Sequence, residues 1–293
     1  MIDNNSTISR VDKAIQKQFP RMTRRQVDEA VAAGWILRAG KSVAKGDRVG
    51  SLELDCSELQ RQLIEIQKGN PQLKIEIVWE NDEVWIVDKP AGIPSHSLSL
   101  FDKNTMTQWA LAQSPDVGKS FQEIQPTVTP HRLDTGTSGL LVVCKNKEAY
   151  KEWRERFQKK EIQKKYLAWC FGEVREENLE VNHLLAHHPS DARRMVVVKG
   201  LEKYRPPLLE AHTQAHCLKK KGEISLWEIQ CQTGVTHQIR VHLSEAGHPL
   251  VGDALYDPNY AERSLKPAHH QLRAIELQWN GQVVRAESLK FSF

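Results

Sequence analysis

Several absences narrow the reading of this 293-residue chain. It has only five cysteines, Cys56, Cys144, Cys170, Cys217 and Cys231, an odd number at wide spacings with no C-x-x-C pair. That excludes a disulfide framework or a thiolate zinc site and leads us to expect scattered reduced thiols in a cytoplasmic protein. It has no long hydrophobic run. The longest aliphatic stretches are short ones such as Leu140–Val143 and Val196–Val198, far from the roughly 20 apolar residues that a membrane helix needs. The first 30 residues are polar and charged, so no signal peptide is expected. Net charge is also scarce: 41 Lys and Arg against 37 Asp and Glu, formally +4. What remains, 40% hydrophobic and 27% charged residues, is an ordinary globular composition. At roughly 150 residues per domain, the length suggests about two domains.

The small net charge conceals an uneven distribution. Residues 1–50 hold ten Lys/Arg and five acids, a local +5, which leaves −1 for the rest of the chain. Residues 144–166 hold nine Lys/Arg and four acids, again +5. Basic stretches on an otherwise balanced chain point to a polyanionic partner; a solvated helix face would give the same pattern.

Two short helices open the chain. Ser9-x-x-Asp12 and Thr23-x-x-Gln26 are capping-box patterns, Pro20 ends the first helix and Gly34 stands where the second should be capped. A small hairpin region follows from Trp35 to Val49, and Arg21, Arg24, Arg25 and Lys41 cluster around the second helix and the turn. Residues 57–68 read as a helix, and Gly69-Asn70-Pro71 breaks the chain. Alternation then begins at Ile75, Ile77 and Trp79, turns at Asn81-Asp82 and resumes at Val84–Val87, a β-hairpin. Further strands are expected at 139–145, 162–172, 193–199, 209–217, 224–231 and 269–278, and helices at 105–113, 146–159 and 236–246. Strands outnumber helices without regular alternation. The expected class is therefore α+β: a mixed, mainly antiparallel sheet flanked by helices and loops, with a small α/β N-terminal domain.

Four segments could carry chemistry. Pro130-His131-Arg132-Leu133-Asp134-Thr135-Gly136-Thr137-Ser138-Gly139 places a carboxylate in a turn just before an apolar strand, where it could serve as nucleophile or general base. Thr233-Gly234-Val235-Thr236-His237-Gln238-Ile239-Arg240 reads as a helix start with free amides and an arginine one turn in. If Arg240 faced Asp134 it would lower that carboxyl pKa, typically by about 1–3 units. It is followed by Val251-Gly252-Asp253-Ala254-Leu255-Tyr256, a turn carrying an acid and an aromatic. Lys164-Lys165-Tyr166 lies on a strand, where Tyr166 could stack on a base or move a proton, or be simply half-buried. Asp88-Lys89-Pro90-Ala91-Gly92-Ile93-Pro94-Ser95-His96 is a rigid loop in which Lys89 and His96 could touch phosphate.

In this order and spacing the four segments resemble the RluA-type pseudouridine synthases, whose marks are a Lys-Pro-Ala-Gly loop, an Arg-Leu-Asp-x-x-Thr-Ser-Gly loop, a Lys-x-Tyr strand and a Thr-His-Gln-Ile-Arg helix start followed by Gly-Asp-x-x-Tyr. The likeness covers about residues 74–293, including the closing His269-x-x-Leu272-x-Ala274 strand. Residues 1–55 resemble the small S-four-like RNA-binding module, and 56–73 read as a linker helix. The resemblance implies isomerisation of uridine to pseudouridine in structured RNA, ribosomal RNA favoured and transfer RNA open, with no cofactor and no metal. The catalytic residues it implies are Asp134, Tyr166 and Arg240. The RNA contacts are Arg132, Lys89, His96, His131, Thr236, His237, Arg21, Arg24, Arg25 and Lys41. A monomer is expected. One departure stands out: Val235 occupies a place where the family usually has Arg.

Two competing readings remain. A non-catalytic RNA-binding or assembly factor could keep the fold. Asp134-Thr135-Gly136-Thr137 also matches the short aspartic-protease pattern, but no second Asp-Thr-Gly occurs to share the proton. Metal readings are weaker. His212-x-x-x-His216 has helical ligand spacing but falls in an expected strand, and the His183, His187, His188 and His269, His270 groups lack a Cys or acidic partner at ligand spacing.

Overall fold

The computed structural model describes residues 8–50, 53–121, 123–200 and 203–286. The chain forms two compact units. The first takes residues 1–74 together with 95–129 and 145–147; the second takes 75–94, 130–144 and 148–293.

The first unit begins with β1 (Ser9–Arg10), α1 (Val11–Gln18) and α2 (Arg24–Ala32), continues through β2 (Leu37–Arg38), β3 (Lys41–Ser42), β4 (Arg48–Val49) and β5 (Leu54–Asp55), and adds α3 (Ser57–Gln67). α4 (Met106–Gln113) and α5 (Pro115–Phe121) come from the later segment. The Thr23 box forms as the spacing suggests: Thr23 Oγ1 accepts from the Gln26 amide and Gln26 Oε1 accepts from the Thr23 amide. The Ser9 box does not. Arg10 is the N-cap of α1, and its guanidinium takes the Asp12 carboxylate that the box would have used. Val11, Ile15, Val27, Ala30, Ile36, Val49, Leu59 and Leu63 form one core with Leu100 and Ile124. α5 was not expected. Gly118 weakens its helical signal, but Pro115 occupies the first turn, where its missing N–H costs nothing.

The second unit is built on a nine-stranded sheet. Its strands are β6 (Glu76–Glu80), β7 (Val84–Lys89), β8 (Ser138–Cys144), β9 (Gln163–Phe171), β10 (Asn178–Val181), β14 (Thr213–Lys221), β15 (Ile224–Cys231), β16 (Leu272–Trp279) and β17 (Gln282–Arg285). The order is β10-β14-β15-β9-β16-β8-β7-β6, with β17 beside β16. All pairings are antiparallel except β8 with β16. The apolar run Leu140–Val143 lies in β8 and is fully buried, as a strand covered on both faces requires. α6 (Lys147–Gln158) packs Trp153 against Trp279. A second sheet, β11 (Leu184–His187), β12 (Met195–Val198) and β13 (Arg205–Leu209), shares a core with α7 (Gln238–Glu245). The expected strand at 209–217 is thus two strands, β13 and β14, with a break between them. Pro206 and Pro207 hide β13 in the sequence, and they are tolerated there because β13 is an edge strand.

Gly139 joins sheet and site. Its φ is +107°, and a Cβ there would lie 2.1 Å from the Ala274 carbonyl oxygen. Only glycine lets β8 enter beside β16 directly after the Asp134 loop.

Candidate active site

The Asp134 loop, the start of α7 and the turn after it converge in the second unit around a cavity of about 370 Å³. Arg132, Asp134, His237, Arg240, Asp253 and His270 line it. An ionic row runs along its wall. Arg240 is 7% exposed; its Nε and Nη2 donate to Asp253 Oδ2 and Oδ1 at 2.7 and 2.9 Å, a bidentate fork, and its Nη1 donates to Asp134 Oδ2 at 3.0 Å. Asp253, 1% exposed, also accepts the amides of Leu255 and Tyr256. Burial opposes ionisation of both carboxyls, but His237 and then Arg240 for Asp134, and Arg240 with its hydrogen bonds for Asp253, outweigh it and hold both below the usual carboxylate range. Burial likewise opposes the Arg240 charge, and the two carboxylates more than restore it.

The helix start is pinned by Gln238. Its Oε1 accepts from Thr233 Oγ1 and the Val235 amide, and its Nε2 donates to the His212 carbonyl and Thr213 Oγ1. His237, the N-cap, has a left-handed backbone (φ +57°) and makes no capping bond. Its Nε2 lies 3.7 Å from Asp134 Oδ2 and its Nδ1 2.8 Å from Tyr256 Oη. Burial lowers its pKa, so Arg240 is the standing cation beside Asp134.

Two residues expected to contact RNA, Lys89 and His131, have other surroundings. Lys89 is completely buried, and its ammonium donates to the carbonyls of Pro90, Ile93 and Thr135, tying the Lys-Pro-Ala-Gly loop to the Asp134 loop. Burial pulls its pKa down to about 7, against the pull of Asp134 and Asp88. Without exposed surface it presents nothing to a phosphate. His131 stacks on Phe157 at 4.2 Å, and its Nε2 accepts the Val142 amide; burial pushes its pKa down to about 3, so the ring is neutral. His96 belongs to the first unit.

Arg132 is exposed at the cavity, and Thr236 is half-buried beside His237. Tyr166 is buried on β9, and burial together with the nearby Cys231 and Asp134 raises its phenol pKa. In the first unit Arg21, Arg24, Arg25 and Lys41 are exposed; Arg24 faces Asp12 at 3.8 Å and Arg25 pairs with Glu29 at 3.0 Å. His212 and His216 bond separately to Glu180 and Asn178 on β10.

Sequence reasoning left Asp253, Tyr256 and His270 out of the site. The first two had a signal in Gly-Asp-x-x-Tyr. His270, hydrogen-bonded to Thr137 Oγ1 at 2.8 Å, had none beyond its place before a strand. Val235 packs with Leu185, Met195, Val241 and Tyr256, so an apolar contact stands where the resemblance leads one to expect a cation.

A family profile described as RNA pseudouridylate synthase matches residues 83–245, more than half of the chain, and this segment contains Asp134, Tyr166 and Arg240. The chain belongs to the RNA pseudouridylate synthase family. It is thus an RNA pseudouridine synthase, an isomerase whose partner is RNA. An uncharacterized RNA pseudouridine synthase of Synechocystis is 31% identical over 84% of this chain and 74% of its own length. A protein of Nitrosomonas europaea named ribosomal large subunit pseudouridine synthase D is 29% identical over 98% of this chain and 83% of its own length. The solved structure of human RNA pseudouridylate synthase domain containing 1 superposes with a TM-score of 0.59 at 24% identity, covering 74% of this chain and 84% of that one, and so shares the fold. Among the described residues no helix is long and apolar enough to cross a membrane.

Proposed function

We propose that this synthase isomerises uridine in ribosomal RNA, with Asp134 as the reacting carboxylate. The observation that carries the reading is the row Asp253–Arg240–Asp134, which keeps one carboxylate ionised and fixed at the wall of a cavity. In the reaction the N1–C1′ bond breaks, a C5–C1′ bond forms, and the proton lost from C5 is matched by one gained at N1. No co-reactant is consumed. Asp134 attacks the ribose or base, or takes the proton that starts glycosidic cleavage; both routes need it ionised. Tyr166 stacks on the extruded base, and Arg132 fills the gap the nucleotide leaves. Flipping costs a few kcal/mol, which phosphate contacts from the basic stretches offset.

The ribosomal substrate is favoured by the relatives named as large-subunit synthases, whose matches run nearly the length of this chain. An S-four-like role for the N-terminal segment is supported by its two helices and small strands and by exposed Arg21 and Lys41, for which no ion partner occurs among the described residues.

The test is carbodiimide mapping of pseudouridine in total RNA with and without the gene, repeated with Asp134→Asn. Loss of a ribosomal RNA stop, not restored by Asp134→Asn although that variant still binds RNA, is the expected result. A lost stop in transfer RNA would overturn the substrate, an active Asp134→Asn would overturn the residue, and no lost stop would favour a pure RNA binder.

A further inference from the structure

Two side chains address the same oxygen of Asp134. Arg240 Nη1 donates to Oδ2 at 3.0 Å, and His237 Nε2 lies 3.7 Å from Oδ2, while Oδ1 has no partner among the described residues. Each neighbour is itself anchored. Arg240 is locked by its fork on Asp253. His237 is locked through Tyr256: the Met195 amide donates to Tyr256 Oη at 2.8 Å, and Oη lies 2.8 Å from His237 Nδ1. With one lone pair of Oη taken and no other acceptor near it among the described residues, the phenol proton is directed at Nδ1. The imidazole proton then sits on Nε2, facing Asp134. Tyr256 is buried and its pKa is raised by that burial to about 12, so the phenol keeps this proton at any working pH.

The backbone gives independent support. His237 is a non-glycine residue with φ +57° at a helix N-cap, where an extended conformation is usual and a short polar side chain would cap the helix. Such strain persists only where the surroundings over-determine it, and here it turns the ring toward Tyr256 and Asp134 instead of the helix amides.

We infer that His237 is a positioning residue of the isomerisation, held by Tyr256 in the Nε2–H tautomer, and that with Arg240 it draws the charge of Asp134 onto Oδ2 and leaves Oδ1 as the reacting oxygen. The inference rests on Asp134 being the reacting carboxylate. At 3.7 Å the approach is a charge–dipole contact, longer than a hydrogen bond, as is common at catalytic groups without substrate. The other charged or titratable groups facing His237 are Arg132 from the Asp134 loop, Arg240 from α7, Asp253 from the turn beyond it and His270, whose pKa burial pushes down to about 4, before β16.

Three variants test this against Asp134→Asn in steady-state assays on RNA across a pH range, with RNA affinity and Tm measured in parallel. His237→Gly removes the ring at a φ that glycine adopts freely. It should fold and bind RNA as the parent does, lose about tenfold or more in kcat, and move the acid limb of kcat to higher pH, because a carboxylate that loses a donor is easier to protonate. Imidazole in the buffer should restore part of the rate. His237→Gln keeps an N–H within reach and should be faster than His237→Gly. Tyr256→Phe, which keeps the packing, should lower kcat with little change in KM. The inference is overturned if His237→Gly and Tyr256→Phe both keep kcat within twofold while Asp134→Asn is inactive. It is equally overturned if the loss lies in KM with the acid limb unmoved and no response to imidazole, the pattern of a plain RNA contact. If Asp134→Asn is itself active, the underlying reading of the carboxylate fails instead.

Discussion

Asp253→Asn isolates the ionic row from the shape of the site. The substitution keeps the side-chain volume and one acceptor oxygen but removes the charge that holds Arg240 by two hydrogen bonds of 2.7 and 2.9 Å at a position 1% exposed. Breaking one side of a buried pair leaves the other charge uncompensated, at a cost of about 3–5 kcal/mol. Asp134 still faces Arg240 through Nη1, so the lower figure is expected. At roughly 2–4 °C per kcal/mol for a domain of this size, Tm should fall by about 6–12 °C. The chemistry should suffer more than stability alone explains. Freed from Asp253, the guanidinium fork can turn and take both oxygens of Asp134, occupying Oδ1. The expected outcome is a lower Tm by calorimetry together with a fall in single-turnover rate of at least tenfold at a temperature where the variant is fully folded. A variant that melts within about 2 °C of the parent and turns over normally would show that Asp253 does not anchor Arg240, and the account of the site would fail with it.

Gly139→Ala places a Cβ 2.1 Å from the Ala274 carbonyl at φ +107° and should cost several kcal/mol or prevent soluble expression; a urea midpoint close to the parent's would refute the close approach of β8 and β16. His131 must stay neutral to accept the Val142 amide, and burial depresses its folded pKa to about 3. Its contribution is therefore whole above the unfolded value of about 6.5 and lost as pH falls toward 3, at up to about 1.4 kcal/mol per pH unit. His131→Gln, which keeps an acceptor but does not titrate, should flatten that loss in urea melts from pH 7 to pH 4; an unchanged slope would refute it. Arg21→Gln and Lys41→Gln should each reduce the salt dependence of RNA binding by about one unit of log–log slope while sparing the rate on a short substrate. No change in slope would make the N-terminal charge a solvated face.

The legibility of the chain follows the range of its interactions. β8 was readable because Leu140–Val143 is buried on both faces and has no polar residue to mislead, and α2 because its cap lies within four residues of sequence. β13 was not, because its prolines are acceptable only at an edge that the chain cannot announce. In the site, Asp134 and Arg240 were placed by spacing within two motifs, and the chance that they face one another was foreseen only as a condition. Lys89 shows the limit most clearly. A lysine in a rigid loop reads as a phosphate contact, yet three carbonyls from two separate segments close around its ammonium. Asp253 was visible as an acid in a turn, but nothing local distinguishes a surface turn from a buried anchor.

Residue types and short spacings were enough to show the chemistry available: which loop holds a carboxylate, which helix start holds a cation, where the basic stretches lie and that the class is α+β. Which residues meet follows from packing. Arg240 lies 106 residues from Asp134 and 13 from Asp253, and its ionised pairing with both depends on burial that the sheet and α7 create together. The direction of His237 depends on a left-handed backbone and on a tyrosine hydroxyl held by a strand 61 residues away. Pattern fixes the candidates, and packing assigns each oxygen its partner.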